Sequence, residues 1–134
     1  MAALPSMNPD EIDTVTRIAQ SADDGPVFML NLNKYRDEAG FPDGTLYRDY
    51  MSILDRLLLE VGGRILWRTA VLGHVVGMQD VDEAIGIWYP SHQSFLNLMS
   101  APSSGENMRL RSLAVEQADL HLSLIHISEP TRPY

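Results

Sequence analysis

Residues 27–35 read VFMLNLNKY, a β-rich run in which polar residues enter at alternate positions. Side chains of a strand alternate between two faces. Phe28, Leu30 and Leu32 therefore share one face, and Val27, Met29, Asn31, Asn33 and Tyr35 share the other. Upstream, Asp23-Asp24-Gly25-Pro26 ends a helical pattern that begins at Asn8-Pro9-Asp10-Glu11. There Asn8 is placed to cap, Pro9 suits the first helical position, and two carboxylates meet the positive end of the helix dipole. Downstream, residues 36–44 (RDEAGFPDG) form a polar connection. Thr45 to Val61 then carries the widest apolar stripe in the chain, halted by Gly62-Gly63.

The spacing predicts an extended segment over residues 64–77, bent near Ala70 because that length exceeds a usual strand. Gln79–Asp82 reads as a polar turn and residues 84–89 (AIGIWY) as a strand bounded by Pro90. Ser91 caps a short helix whose first turn holds His92 as a solvated residue, and Ala101-Pro102 breaks it. Ser103-x-x-Glu106 has capping-box spacing and opens a helix with Met108, Leu110, Leu113, Ala114 and Gln117. Asp119–Leu124 alternates as a half-buried strand. After the leading helix the order is strand, helix, strand, strand, helix, strand. That is the α+β, ferredoxin-like βαββαβ order, with a four-stranded antiparallel sheet. One domain over residues 1–124 is expected.

The chain has 134 residues, 45% of them hydrophobic, with no cysteine and a formal charge of −8. The missing cysteines exclude disulfides, Cys-ligated zinc and thiolate nucleophiles. The acidity argues against nucleic acid or an anionic membrane as partner. No apolar run approaches the length that spans a bilayer, and the start lacks the pattern of a signal peptide, so a cytoplasmic location is expected. HExxH, GxSxG and phosphate-loop spacings are absent. The histidines at 74, 92, 121 and 126 show no i, i+3 or i+4 pairing, so neither a metal nor a cofactor is expected.

The ordered set MLNLNKYR, GGRILW and YPSHQSFL resembles the uncharacterised domain-of-unknown-function 1330 family, over about residues 8–123. That family resembles the wider dimeric α/β-barrel superfamily, in which two ferredoxin-like sheets close into one barrel. The resemblance therefore implies a homodimer. Family members often carry a carboxylate just before the aromatic-Pro-Ser turn, where this chain has Trp88, and an Arg in the last strand, where it has His121. Asn31 matches. Ser123–Tyr134 (SLIHISEPTRPY) resembles the translated read-through of a sequencing adapter, a run that recurs on unrelated metagenomic reading frames. Residues 125–134 are accordingly set aside as a non-native tail.

A ferredoxin-like sheet is covered by helices on one face. The helix-facing side is expected to hold Phe28, Leu30, Leu32, Ile85, Ile87, Leu120 and Leu122. That leaves Asn31, Asn33, Tyr35, Trp88 and His121 on the concave inner face, with Trp67 or Arg68 joining them. Superfamily relatives include cofactor-independent monooxygenases, muconolactone isomerases and polyketide cyclases. The resemblance thus implies proton transfer, isomerisation or oxygenation of an aromatic or lactone-like small molecule. In that reading His121 is the base, and Asn31 and Asn33 donate to a developing oxyanion. Tyr35, Trp67 and Trp88 line the pocket, and Arg68 anchors a substrate carboxylate. A non-catalytic dimeric binding or assembly module is the alternative. Heme binding through an axial His74 or His121 is a third.

Overall fold

The computed structural model describes residues 7–123. The proposed tail at 125–134 and Leu124 lie outside the described residues. In chain order the elements are α1 (Pro9–Ala19), β1 (Val27–Tyr35), α2 (Thr45–Glu60), β2 (Arg64–Ala70), β3 (Glu83–Tyr89), α3 (His92–Leu96), α4 (Ser104–Ala114) and β4 (Val115–Ser123). Short 3-10 turns occupy Asp37–Ala39 and Asn97–Ser100. The four strands form one sheet in the order β2-β3-β1-β4, with every neighbouring pair antiparallel. The α+β, ferredoxin-like order expected from the sequence is the one observed.

Several local expectations need correction. The extended segment does not run to Gly77: β2 ends at Ala70, and residues 71–82 form a long loop before β3. β4 begins at Val115, so Gln117 belongs to the strand and not to α4. Asn8 sits at the N-cap of α1 without a side-chain cap bond. Ser103 does not close a capping box with Glu106. Its backbone N–H and its hydroxyl instead donate to the Glu60 carboxylate of α2, at 2.8 and 2.6 Å. That contact ties the end of α2 to the start of α4.

The largest correction concerns which face of the sheet meets the helices. Directly opposed residues on neighbouring strands point to the same side. Met29 opposes Ile87, Asn31 opposes Ile85 and Leu120, and Asn33 opposes Glu83. These residues share the side on which Val27, Met29, Tyr35, Ile85, Ile87 and Tyr89 pack with the helix residues Tyr50, Met51, Leu54, Leu58 and Leu110. The helices therefore cover the Val27–Tyr35 phase of β1. Phe28, Leu30 and Leu32 face the open side, where Phe28 opposes Trp88 and Leu30 opposes Gly86 and His121. Both phases of β1 are apolar at its N-terminal half. Hydrophobicity alone therefore does not say which phase is covered.

His92 is also not solvated; it is 8% exposed at the start of α3. Asp24, in the turn before β1, accepts from the His92 backbone N–H at 2.7 Å, from its ring Nδ1 at 2.9 Å and from the Gln93 N–H at 3.3 Å. A carboxylate only accepts, so Nδ1 carries the proton. Ser91 Oγ caps the same helix by accepting from the Ser94 N–H at 3.0 Å. Burial disfavours the Asp24 charge, but the bonds from the His92 backbone and ring outweigh it, and the carboxyl is held below its ordinary value. A depressed folded-state pKa gives stability that is present above the unfolded value and is lost as the pH falls through the folded one. Asp24→Asn is therefore expected to lower unfolding stability at pH 7 by about 1.5–3 kcal/mol, as charge-assisted bonds are weakened. The difference from the parent chain should shrink below about pH 4, as read by urea unfolding at both pH values.

Candidate functional site

Asn33 and Tyr35 of β1 do not face an open chamber. They enter a buried network at one end of the sheet. Glu83, the first residue of β3, is in phase with Ile85, Ile87 and Tyr89 and is 4% exposed. A carboxylate in that position must be satisfied from inside. Tyr35 Oη donates to Glu83 Oε1 at 2.6 Å, and Tyr47 Oη of α2 donates to Oε2 at 2.7 Å. Asn33 Nδ2 donates to Tyr35 Oη at 3.2 Å, and Arg68 of β2 donates to Tyr47 Oη at 3.3 Å. A continuous path of hydrogen bonds thus joins β1, β3, α2 and β2.

Aromatic packing holds the phenols in place. The Tyr35 and Phe41 rings stack at 5.1 Å, and Tyr47 meets both edge-on, at 5.1 Å from Tyr35 and 4.9 Å from Phe41. Burial, with the Glu83 carboxylate adding to it, pushes the Tyr35 and Tyr47 hydroxyls far above the ordinary phenol range. Burial also raises Tyr50 and Tyr89. All four stay protonated across the physiological range, which keeps Tyr35 and Tyr47 as donors to Glu83. Beside the network lies a cleft of about 520 Å³ between the β2 end and the first half of α2, lined among others by Phe41, Tyr47, Arg48, Met51, Asp55 and Arg68.

The open face of the sheet is a separate surface. The Trp67 indole lies over Gly86, where a Cβ would come within 2.5 Å of the ring. Only glycine permits that approach. Trp67 is 44% exposed and its ring centroid is 6.2 Å from that of Phe28. Arg64 reaches over the Trp88 ring, 5.6 Å from its centroid. The 71–82 loop returns along the same side: Lys34 Nζ meets Asp80 at 3.0 Å and Asp82 at 3.5 Å, and Gln79 donates to Asp119 at 3.0 Å. Its apolar side chains are left in solvent, with Leu72, Val75, Val76 and Met78 between 91% and 101% exposed.

The residues singled out in the sequence thus divide between two surfaces. Asn33, Tyr35 and Arg68 join the buried network, while Trp67, Trp88 and His121 lie on the open face. His121 and Asn31 are on opposite sides of the sheet and do not meet within one chain, which overturns the expected pairing of base and oxyanion donor. Asn31 Oδ1 is buried without a hydrogen-bond partner, as is Trp88 Nε1. Asn33 is spent on Tyr35. His74 sits exposed in the 71–82 loop. Among the described residues no three His, Asp or Glu side chains cluster as a metal site would require. No helix among them is long and apolar enough to cross a membrane.

Glu83 and Tyr47 were missed. In the sequence Tyr47 is one more member of the α2 stripe, and Glu83 falls between the Gln79–Asp82 turn and the strand at 84–89. The available signal was phase: Glu83 continues the alternation of Ile85, Ile87 and Tyr89 backwards onto the core face.

No family model matches the sequence, and no curated protein does. Solved structures do. A protein of unknown function from Rhodopseudomonas palustris is 25% identical, with 88% of this chain and 93% of that chain covered and a TM-score of 0.69. A methylated form of that protein gives 24% identity, 92% and 95% coverage and the same TM-score of 0.69. A DABB family protein with a ferredoxin-like fold from Mesorhizobium loti is 9% identical, covering 75% of this chain and 97% of that one at a TM-score of 0.57. These likenesses agree with the strand order in assigning the ferredoxin-like fold.

Raised phenol pKa values give stability that is present below the unfolded value and is lost as the pH rises. Unfolding stability is therefore expected to fall above about pH 10, with the phenolate absorbance of these four tyrosines appearing only as the chain unfolds. Glu83→Gln turns one accepting oxygen into a donating amide opposite a phenol that also donates. It is expected to destabilise by about 2–3 kcal/mol, measured by urea unfolding at pH 7.

Proposed function

We propose that this chain is a small-molecule-binding module that acts as a homodimer, two copies bringing their open sheet faces together. The observation that carries this reading is the open face itself. Phe28, Leu30, Leu32, Trp67 and Trp88 occupy the side that no described helix covers, and the loop beside them holds four apolar side chains almost wholly in water. Contiguous exposed apolar surface of this kind marks an interaction site. A symmetric pairing uses the same patch on both copies.

Magnitudes favour an active part for the loop. Fully burying a large apolar side chain contributes about 1.5–3 kcal/mol, against an association penalty of about 4–15 kcal/mol. Most open-face residues are already half-covered, so they have less left to gain. Leu72, Val75, Val76 and Met78 have nearly all of theirs left to gain, twice over in a symmetric pair. In this reading the loop of each copy reaches onto the other, and Trp67, Trp88 and His121 wall the space between the sheets. The ferredoxin-like likeness to a DABB family protein supports the reading at the level of fold.

Sedimentation velocity at micromolar concentration is expected to give a species of about twice the 15.0 kDa chain mass. Leu30→Asp is expected to give a folded monomer, because a charge at the centre of the face is desolvated only in the pair. A monomeric parent chain, or a Leu30→Asp variant that still pairs, overturns the proposal.

A further inference from the structure

We infer that the cleft between β2 and the first half of α2 binds a small organic monocarboxylate, its carboxylate on Arg68 and its body against Phe41, Tyr47 and Met51. The site uses residues other than the open sheet face, so it stands or falls independently of self-association.

Charge is the first ground. Acidic residues outnumber basic ones 18 to 10 in the whole chain, yet no carboxylate pairs with Arg68 among the described residues. Its hydrogen bond is the 3.3 Å one to Tyr47 Oη. Four of the five guanidinium N–H groups are left for another acceptor. Arg48, on the same cleft, has no ion-pair partner among the described residues either.

The network explains why Arg68 is left available. Glu83 is the nearest buried carboxylate on the path, and both its oxygens are taken by phenols at 2.6 and 2.7 Å. Tyr47 has one proton and donates it to Glu83, so its oxygen accepts from Arg68. That bond holds the guanidinium by one corner and leaves the rest of its fork to the cleft. Tyr47 is thus a positioning residue for Arg68. A planar fork suits a carboxylate bidentately in a way that an ammonium does not.

Shape and balance narrow the ligand further. The cleft volume of about 520 Å³ lies within the range of small-molecule sites. Its walls set the Phe41 and Tyr47 rings and the Met51 thioether beside an equally large polar part that includes Ser52 and Thr69. Arg48 and Arg68 are offset by Asp55 and Glu83 on the same lining. A monoanion with an apolar or aromatic body fits that balance, and a phosphate dianion does not.

Benzoate is the probe, titrated calorimetrically into the full chain, with benzamide as its neutral isostere and inorganic phosphate as competitor. Saturable binding is expected at one benzoate per chain, with benzamide at least tenfold weaker and phosphate not competing. Arg68→Gln is expected to weaken benzoate at least tenfold while the thermal melt stays close to that of the parent. If that variant fails to fold, the parent chain decides the matter: benzoate should shift the Met51 methyl resonance in NMR, and benzamide should not. No saturation up to about 10 mM benzoate, equal binding of benzamide, competition by phosphate, or a well-folded Arg68→Gln that binds as the parent does would each overturn the assignment. Dimer formation is read separately by sedimentation, so loss of one property does not stand in for loss of the other.

Discussion

A carboxylate set in phase with core residues is the constraint on which one end of this molecule is built. Glu83 begins β3 on the side that the helices cover. An unpaired buried charge costs several kcal/mol even after relaxation, so the surrounding elements have to supply donors. β1 does so by ending in Asn33 and Tyr35, and α2 by opening with Tyr47. The helix-facing side of β1 therefore changes character along its length, from Val27 and Met29 to a hydrogen-bonded end. Arg68 is drawn into the same arrangement through Tyr47, and the cleft inherits its polarity from that choice. The position of α2 over the sheet is thus fixed by hydrogen bonds at its N-terminal end and by apolar packing through Met51, Leu54 and Leu58 further along.

The other side of the sheet is governed by what is missing from it. Alternation obliges Phe28, Leu30 and Leu32 to point away from the helices once Val27 and Met29 point toward them. Gly86 deepens that surface, because its missing side chain lets the Trp67 ring lie directly on the β3 backbone. The loop between β2 and β3 is then tied down along the same side through Lys34 and Asp119. With one face packed against the helices, the other presents half-buried apolar side chains on the strands and exposed ones on the loop.

Much of this was legible in the sequence. The bounds of β1, the start and stop of α2, the Ser91 cap and the strand–helix order all follow from patterns with a local cause, and each is observed. What was not legible depends on contacts between distant segments. Period-2 alternation sorts the residues of β1 into two sets but is symmetric under exchange of the faces. With Leu at 30 and 32 against Asn at 31 and 33, hydrophobicity pointed to the wrong set as core. The answer lay in Glu83 and Tyr47, whose meeting with Tyr35 spans separations of 48 and 36 residues from Glu83. Asp24 and His92 are similar, joined across 68 residues. The end of β2 escaped for a different reason: Leu72, Val75 and Val76 have strand-forming side chains, but among the described residues no strand pairs with them past the Val71 N–H to Asp82 carbonyl bond.

The division of the two faces also sorts the chromophores of the described residues. Tyr35, Tyr47, Tyr50 and Tyr89 are all on the helix-covered side and almost fully buried. The chain's two tryptophans, Trp67 and Trp88, are both on the open side, one beside Phe28 and the other under a guanidinium. Intrinsic emission excited at long wavelength therefore comes from one surface alone, and the packed core is silent in it. The molecule carries its own optical label on the face with the most left to bury, and events among the tyrosines reach that label only by energy transfer through the sheet.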